Sequence, residues 1–124
     1  MRFYTEKTPH SPLIKFEDGI LLIAGRSIPE DSFTLYEPLF NFMERYADDF
    51  PSIEIQIKLE YANSSTNRSL MSLFELMLIH QDKGNKVAVL WYYASNDKEM
   101  YDLGSDFQEL IQLPFEVRAV ESLD

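Results

Sequence analysis

The 124-residue sequence predicts an α/β fold, a mixed β-sheet of about five strands with three helices packed mainly on one face, in the order β-β-α-β-α-β-α-β. Three observations carry this expectation. Asp18-Gly19 separates two apolar runs near the N-terminus. Residues 53–61 alternate strictly between apolar and polar. From there to residue 120, segments of helical period alternate with segments of strand character, the pattern of parallel strands joined by crossover helices.

Residues 13–16 and 20–26 flank Glu17-Asp18-Gly19, and an Asp-Gly pair supplies the positive φ angles of a tight hairpin turn. From Asp31 onward, Phe33, Tyr36, Phe40, Met43 and Ala47 recur at spacings of three and four, which places them on one helical face. Pro38 has no amide for the carbonyl four residues back, so it belongs near the first turn or kinks the helix. Ile53, Ile55, Ile57, Leu59 and Tyr61 then alternate with Glu54, Gln56, Lys58 and Glu60, a strand with one buried and one wet face. A sheet covered on both faces shows continuous apolar runs instead, so this alternation predicts helices mainly on one side.

Leu70, Leu73, Phe74, Met77 and Leu78 mark a second helix, apolar over more than half its circumference and ended by Lys83-Gly84-Asn85. Residues 87–93 are β-branched and aromatic, 97–110 form an acidic helix, and 115–120 alternate as a last strand after Pro114. The length suits a single domain over residues 1–124 with its core at about 13–120.

Composition narrows the function. With 21 acidic and 11 basic residues the net charge is −10, which repels nucleic-acid backbones and anionic membranes, so neither is an expected partner. The absence of cysteine removes disulfides, thiolate nucleophiles and cysteine metal sites, and fits a cytoplasmic protein. No run approaches the ~18 apolar residues of a membrane span, and residues 1–10 lack the apolar stretch of a signal peptide.

Catalytic patterns are missing. His10 and His80 stand far apart with no His-Glu-x-x-His motif, so no metal or other cofactor is expected; His80, near a helix end, reads as a surface or capping residue. No Gly-x-Ser-x-Gly elbow or glycine-rich phosphate loop occurs. Asp102, Asp106 and Glu109 share helical spacing but read as a solvated face, and Trp91, Tyr92 and Tyr93 as strand core. The expectation is a protein that is not an enzyme.

The segment Tyr61-Ala62-Asn63-Ser64-Ser65-Thr66-Asn67-Arg68-Ser69 joins the clearest strand to the second helix. Asn63, Ser64 or Ser65 can cap the helix by accepting from its first free amides, worth about 1 kcal/mol. One cap does not explain four small polar residues in a row. A helix N-terminus also favours negative charge, so a phosphate is tolerated here, with Arg68 one turn away as its partner.

Gly25-Arg26-Ser27-Ile28-Pro29-Glu30-Asp31-Ser32, Leu59-Glu60-Tyr61-Ala62-Asn63-Ser64-Ser65, Gly84-Asn85-Lys86-Val87 with Trp91-Tyr92-Tyr93, and Leu113-Pro114-Phe115 together resemble the SiaC family of bacterial regulatory phosphoproteins. The resemblance implies a STAS-like fold, that of anti-sigma-factor antagonists, and a partner-switching cycle. In it a dedicated serine/threonine kinase phosphorylates the protein, a PP2C-type phosphatase restores it, and the unmodified form activates a GGDEF diguanylate cyclase in c-di-GMP signalling. The family's acceptor is the threonine of Tyr-Leu-Asn-Thr-Ser-Ser, which aligns with Ser64; Ala62 and Ser64 depart from that pattern. Ser65 and Thr66 stand as alternative acceptors, and Tyr61, Asn63, Ser65, Thr66 and Arg68 as the partner-binding surface. The competing expectations are a constitutive interaction or oligomerisation module in which the junction is only a helix cap, and a small hydrolase.

Overall fold

The hairpin closes as the sequence predicts. In the computed structural model, which describes residues 2–124, Asp18 and Gly19 take φ of 54° and 81° between the paired residues Glu17 and Ile20. Two positive φ values in a two-residue loop suit the twist of the flanking strands. A side chain at Gly19 would also bring its Cβ to 2.8 Å from the Ser52 carbonyl oxygen.

The sheet has six strands, one more than expected: β1 (Arg2–Thr5), β2 (Leu13–Glu17), β3 (Ile20–Ser27), β4 (Ser52–Ala62), β5 (Lys86–Ala94) and β6 (Phe115–Val120). The additional strand, β1, spans four residues and pairs antiparallel with β2. A segment that short carries no readable alternation, and it becomes a strand by pairing with a neighbour that is already formed. β1, β2 and β3 are antiparallel neighbours, and β3 through β6 are parallel.

Spatial order follows chain order, so the crossovers through α1 (Ser32–Tyr46), α2 (Ser64–Asp82) and α3 (Lys98–Leu110) all step the same way. With the usual right-handed connection this places all three helices on one face. Burial agrees: Ile53, Ile55, Ile57 and Leu59 are buried, while Glu54, Gln56 and Lys58 reach solvent on the other side. Phe74 of α2 meets Phe107 of α3 and Phe115 of β6 edge-on, at 5.2 and 5.6 Å between ring centroids.

Two local expectations change. The buried face of α1 is set by Ser32, Tyr36, Leu39 and Met43, and Phe33, expected on that face, is 62% exposed. The helix begins at Ser32 under an Asp31 cap and continues through Pro38, its seventh residue. His80, expected at the surface, is buried. One ring nitrogen lies 3.1 Å from the Phe50 carbonyl oxygen, and the other 3.4 Å from Asp48 Oδ1, so the histidine ties the end of α2 to the turn leading into β4.

Candidate functional site

The hydroxyl-rich junction lies at the carboxyl ends of the parallel strands β3 and β4, where open α/β sheets place their sites. The Asn63 amide donates to the Ser27 carbonyl at 3.0 Å, the last rung between the two strands. Asn63 is the helix cap among the three candidates: in an extended conformation, its Oδ1 accepts from the Thr66 amide at 2.9 Å. The same oxygen accepts from Ser65 Oγ at 3.2 Å, and Nδ2 donates to the Pro29 carbonyl at 3.0 Å. One side chain thus holds the helix start and the loop between β3 and α1.

Beneath the cap runs a chain of buried hydroxyls. Thr66 Oγ1 donates to the Ser27 carbonyl at 3.0 Å and lies 2.7 Å from Ser27 Oγ, which lies 2.8 Å from the Tyr36 hydroxyl. Because a carbonyl only accepts, the Thr66 proton is committed to it. The Ser27 proton then goes to Thr66, and the Tyr36 proton to Ser27. A second strand of the network joins α1 to α2: Ser32 Oγ donates to the Ser65 carbonyl at 2.6 Å and accepts from Ser69 Oγ at 2.8 Å. Ser27, Ser32, Tyr36, Thr66 and Ser69 are all buried. A buried polar group is tolerated only when it is paired, so this network favours one fixed arrangement of the two helix starts.

Burial pushes the Tyr36 phenol up to about 12, with the Ser27 hydrogen bond pulling the other way. The unfolded chain ionises this phenol near 10, so its contribution to stability is whole below that pH and is lost as pH rises from 10 to about 12. Denaturation curves across this window should show wild type losing roughly 2–3 kcal/mol that Tyr36→Phe does not lose. Equal alkaline losses in the two proteins would contradict this assignment.

The four small polar residues therefore differ in what their side chains do. Ser64 is the first residue of α2 and exposed, and its hydroxyl makes no hydrogen bond among the described residues. Ser65 is half-buried and bonded to Asn63. Thr66, which the sequence leaves among the candidate acceptors and surface residues, is fully buried with its proton used. Tyr61 is 45% exposed, and Arg68 is exposed one turn beyond Ser64 on the same helical side. Asn67 Oδ1 is buried with no hydrogen-bond partner among the described residues.

Beside the junction, the end of β4, α2 and α3 enclose a shallow cleft of about 350 Å³ that Tyr61 and Asn67 share with Glu60, Asp97, Glu99, Asp102 and Asp106. Asp102 and Asp106 are exposed as expected, Asp102 pairing with Lys98 at 2.8 Å, and Glu109 is exposed as well. Among the described residues no group of three or more His, Cys, Asp or Glu side chains is placed to hold a metal ion. His10 is exposed in the loop after β1 while His80 is buried at the far end of α2. No helix among the described residues is long and apolar enough to cross a membrane.

The sequence missed the hydroxyl network. Its only trace there is that Thr66 and Ser69 interrupt the apolar face of α2, and Ser32 that of α1, at positions where an apolar side chain is the simpler choice.

The sequence matches the model of the SiaC family of regulatory phosphoproteins over residues 5–120. It is 28% identical over 115 residues to the uncharacterized protein PA14_02130 of Pseudomonas aeruginosa, covering 90% of this chain and 91% of that one. The fold is similar to SiaC of Pseudomonas aeruginosa in complex with the diguanylate cyclase SiaD, which SiaC activates, with a TM-score of 0.88 at 26% identity, covering 95% of this chain and 99% of that one. The apo form of that SiaC gives a TM-score of 0.86 at 26% identity, over 96% and 99% of the two chains.

Proposed function

The chain belongs to the SiaC family of regulatory phosphoproteins, and from that premise we propose that it is a phosphorylation-controlled switch, with Ser64 as the acceptor, whose unmodified form binds and activates a diguanylate cyclase. The observation that carries this reading is the division of labour at the junction: Asn63 caps the helix and Thr66 belongs to the interior, while the Ser64 hydroxyl is exposed with no partner among the described residues. A kinase needs such a group, one whose modification breaks nothing. The same observation disfavours the competing cap-only reading, because Asn63 already performs the capping.

In this cycle a dedicated serine/threonine kinase transfers the γ-phosphoryl group of ATP to Ser64 Oγ, and a PP2C-type phosphatase hydrolyses the ester. The phosphate brings about −1.5 to −2 charges to the first turn of α2, where the helix dipole and the amides of Ser64 and Ser65 favour it. Arg68 is in position to pair with it. Tyr61, Asn63, Ser65 and Arg68 form the surrounding partner surface, with Thr66 supporting it from below. The cycle runs in the cytoplasm, without a cofactor and without chemistry by the chain itself; among the described residues the junction serines bond only to Asn63 and Ser32 side chains and to no histidine or carboxylate, which argues against a small hydrolase.

Incubation with the cognate kinase and ATP, followed by fragmentation mass spectrometry, should place a single phosphate on Ser64. Ser64→Ala should take up none. A phosphate on Ser65, on Thr66 or outside the junction would sink the assignment.

A further inference from the structure

The sheet face turned away from the helices is bare. Four of its strands, β3 to β6, are parallel neighbours, and parallel strands are found almost only with both faces covered. On this face Ile20 is 43% exposed, and Leu22, Ala24, Leu90 and Tyr92 are only half-buried. Its charge also differs from that of the rest of the molecule. The register places Arg2, Lys15, Lys58, Lys86 and Arg118 here. With Lys7 at the rim they nearly balance Glu17, Glu54, Glu60 and Glu116 on the strands and Glu6, Asp18 and Asp124 at the rim, six cations against seven anions. Most of the negative excess of a chain with net charge −10 therefore lies away from this face. Two copies therefore repel one another less on an approach through this face than by the helices.

We propose that the bare sheet face is the contact between two copies of the chain, related by a two-fold axis that crosses β4 at Gln56. Glu54, Gln56 and Lys58 follow one another along β4 on this face. A two-fold axis lying in the interface, perpendicular to the strand at Gln56, sets Glu54 of each copy opposite Lys58 of the other. Leu22 and Leu90 flank Gln56 in register on β3 and β5, so each meets its own counterpart across the axis. This is an isologous contact, self-complementary in charge and apolar beside its centre. Packed sheets lie about 10 Å apart, a gap that facing Glu and Lys side chains span. The Tyr92 ring holds the cations in place, with Lys58 Nζ 5.1 Å and the Arg118 guanidinium 5.6 Å from its centroid. Lys15 and Glu116 meet their own counterparts only at the margins, where solvent and salt screen them. Leu123 and Asp124 bound the contact at the Lys58 end, where they line a concavity of about 480 Å³.

The test is sedimentation equilibrium of the whole chain at concentrations up to about 0.5 mM, a range that detects even weak dimers. Wild type should dimerise. Glu54→Lys and Lys58→Glu should each weaken the dimer about tenfold or more, by placing like charges opposite one another. The double variant carrying both changes should return to within about threefold of wild type, because the pairs re-form with reversed sign. Circular dichroism melts show whether each variant is folded. A wild type that stays monomeric, a dimer indifferent to the single changes, or a double variant that fails to recover would overturn the proposal. A monomeric wild type whose two single variants both lose cyclase activation would identify the cyclase as the occupant instead. The dimer measurement involves neither phosphate nor cyclase, so its outcome is independent of the proposed switch.

Discussion

Stoichiometric phosphorylation of Ser64 should lower activation of the partner cyclase about tenfold or more, measured as the rate of c-di-GMP synthesis at fixed concentrations of both proteins. The reason is local. Ser64 stands at the exposed start of α2, between Tyr61 and Arg68, so a dianion there has to be desolvated or accommodated by any protein that docks on the junction. Ser64→Ala should stay constitutively active and within about 0.5 kcal/mol of wild-type stability, because its exposed hydroxyl has no partner to lose among the described residues. Ser64→Asp should fall between the two, with less charge and fewer oxygens than a phosphate. If Ser64→Asp and the phosphorylated chain both activate the cyclase as wild type does, the junction is not the switch.

Gly104→Ala should destabilise the protein by roughly 2–3 kcal/mol, a large effect for one added methyl group. Gly104 is buried in α3 against Trp91, and a Cβ built there lies 2.4 Å from the indole Cδ1 and 2.6 Å from Nε1. Trp91 is fully buried, and its Nε1 donates to the Met100 carbonyl at 2.9 Å. The indole therefore cannot yield without either breaking that bond or pushing α3 away from the sheet. Chemical denaturation would measure the loss, and quenched or shifted emission from the single tryptophan would report the displacement. A variant as stable as wild type would show that α3 moves freely over β5. Because Met100 and Leu103 of α3 line the acidic cleft beside the junction, the displacement should reach that cleft as well.

Much of the fold was written in local patterns. Alternation in β4, the period of α2, the Asp18-Gly19 turn and the Asp97 and Gly84 helix ends each depend on residues within a few positions of one another, and each appears where the sequence places it. Elements that depend on a distant neighbour were not legible in this way. β1 exists because β2 is beside it, and Phe33 is exposed because the start of α1 is set by its cap and by the contacts of Ser32 with α2. His80 is buried because the turn before β4 folds over it.

The same division runs through the candidate site. By itself the sequence determined that a hydroxyl-rich segment joins a half-buried strand to an apolar helix, that no catalytic or metal-binding motif accompanies it, and that its words resemble those of one regulatory family. Residue identity and spacing suffice for those conclusions. Only the tertiary structure decided which hydroxyl does what. Ser64, Ser65 and Thr66 are neighbours of nearly equal chemistry, and they are distinguished by partners 33 to 39 positions away: Ser32 for the Ser65 carbonyl, Pro29 for the side-chain amide of Asn63, and Ser27 for Thr66. The packing of α1 against α2 turns Thr66 inward and leaves Ser64 in solvent, and hydrogen bonds across such separations leave no periodic trace in the chain.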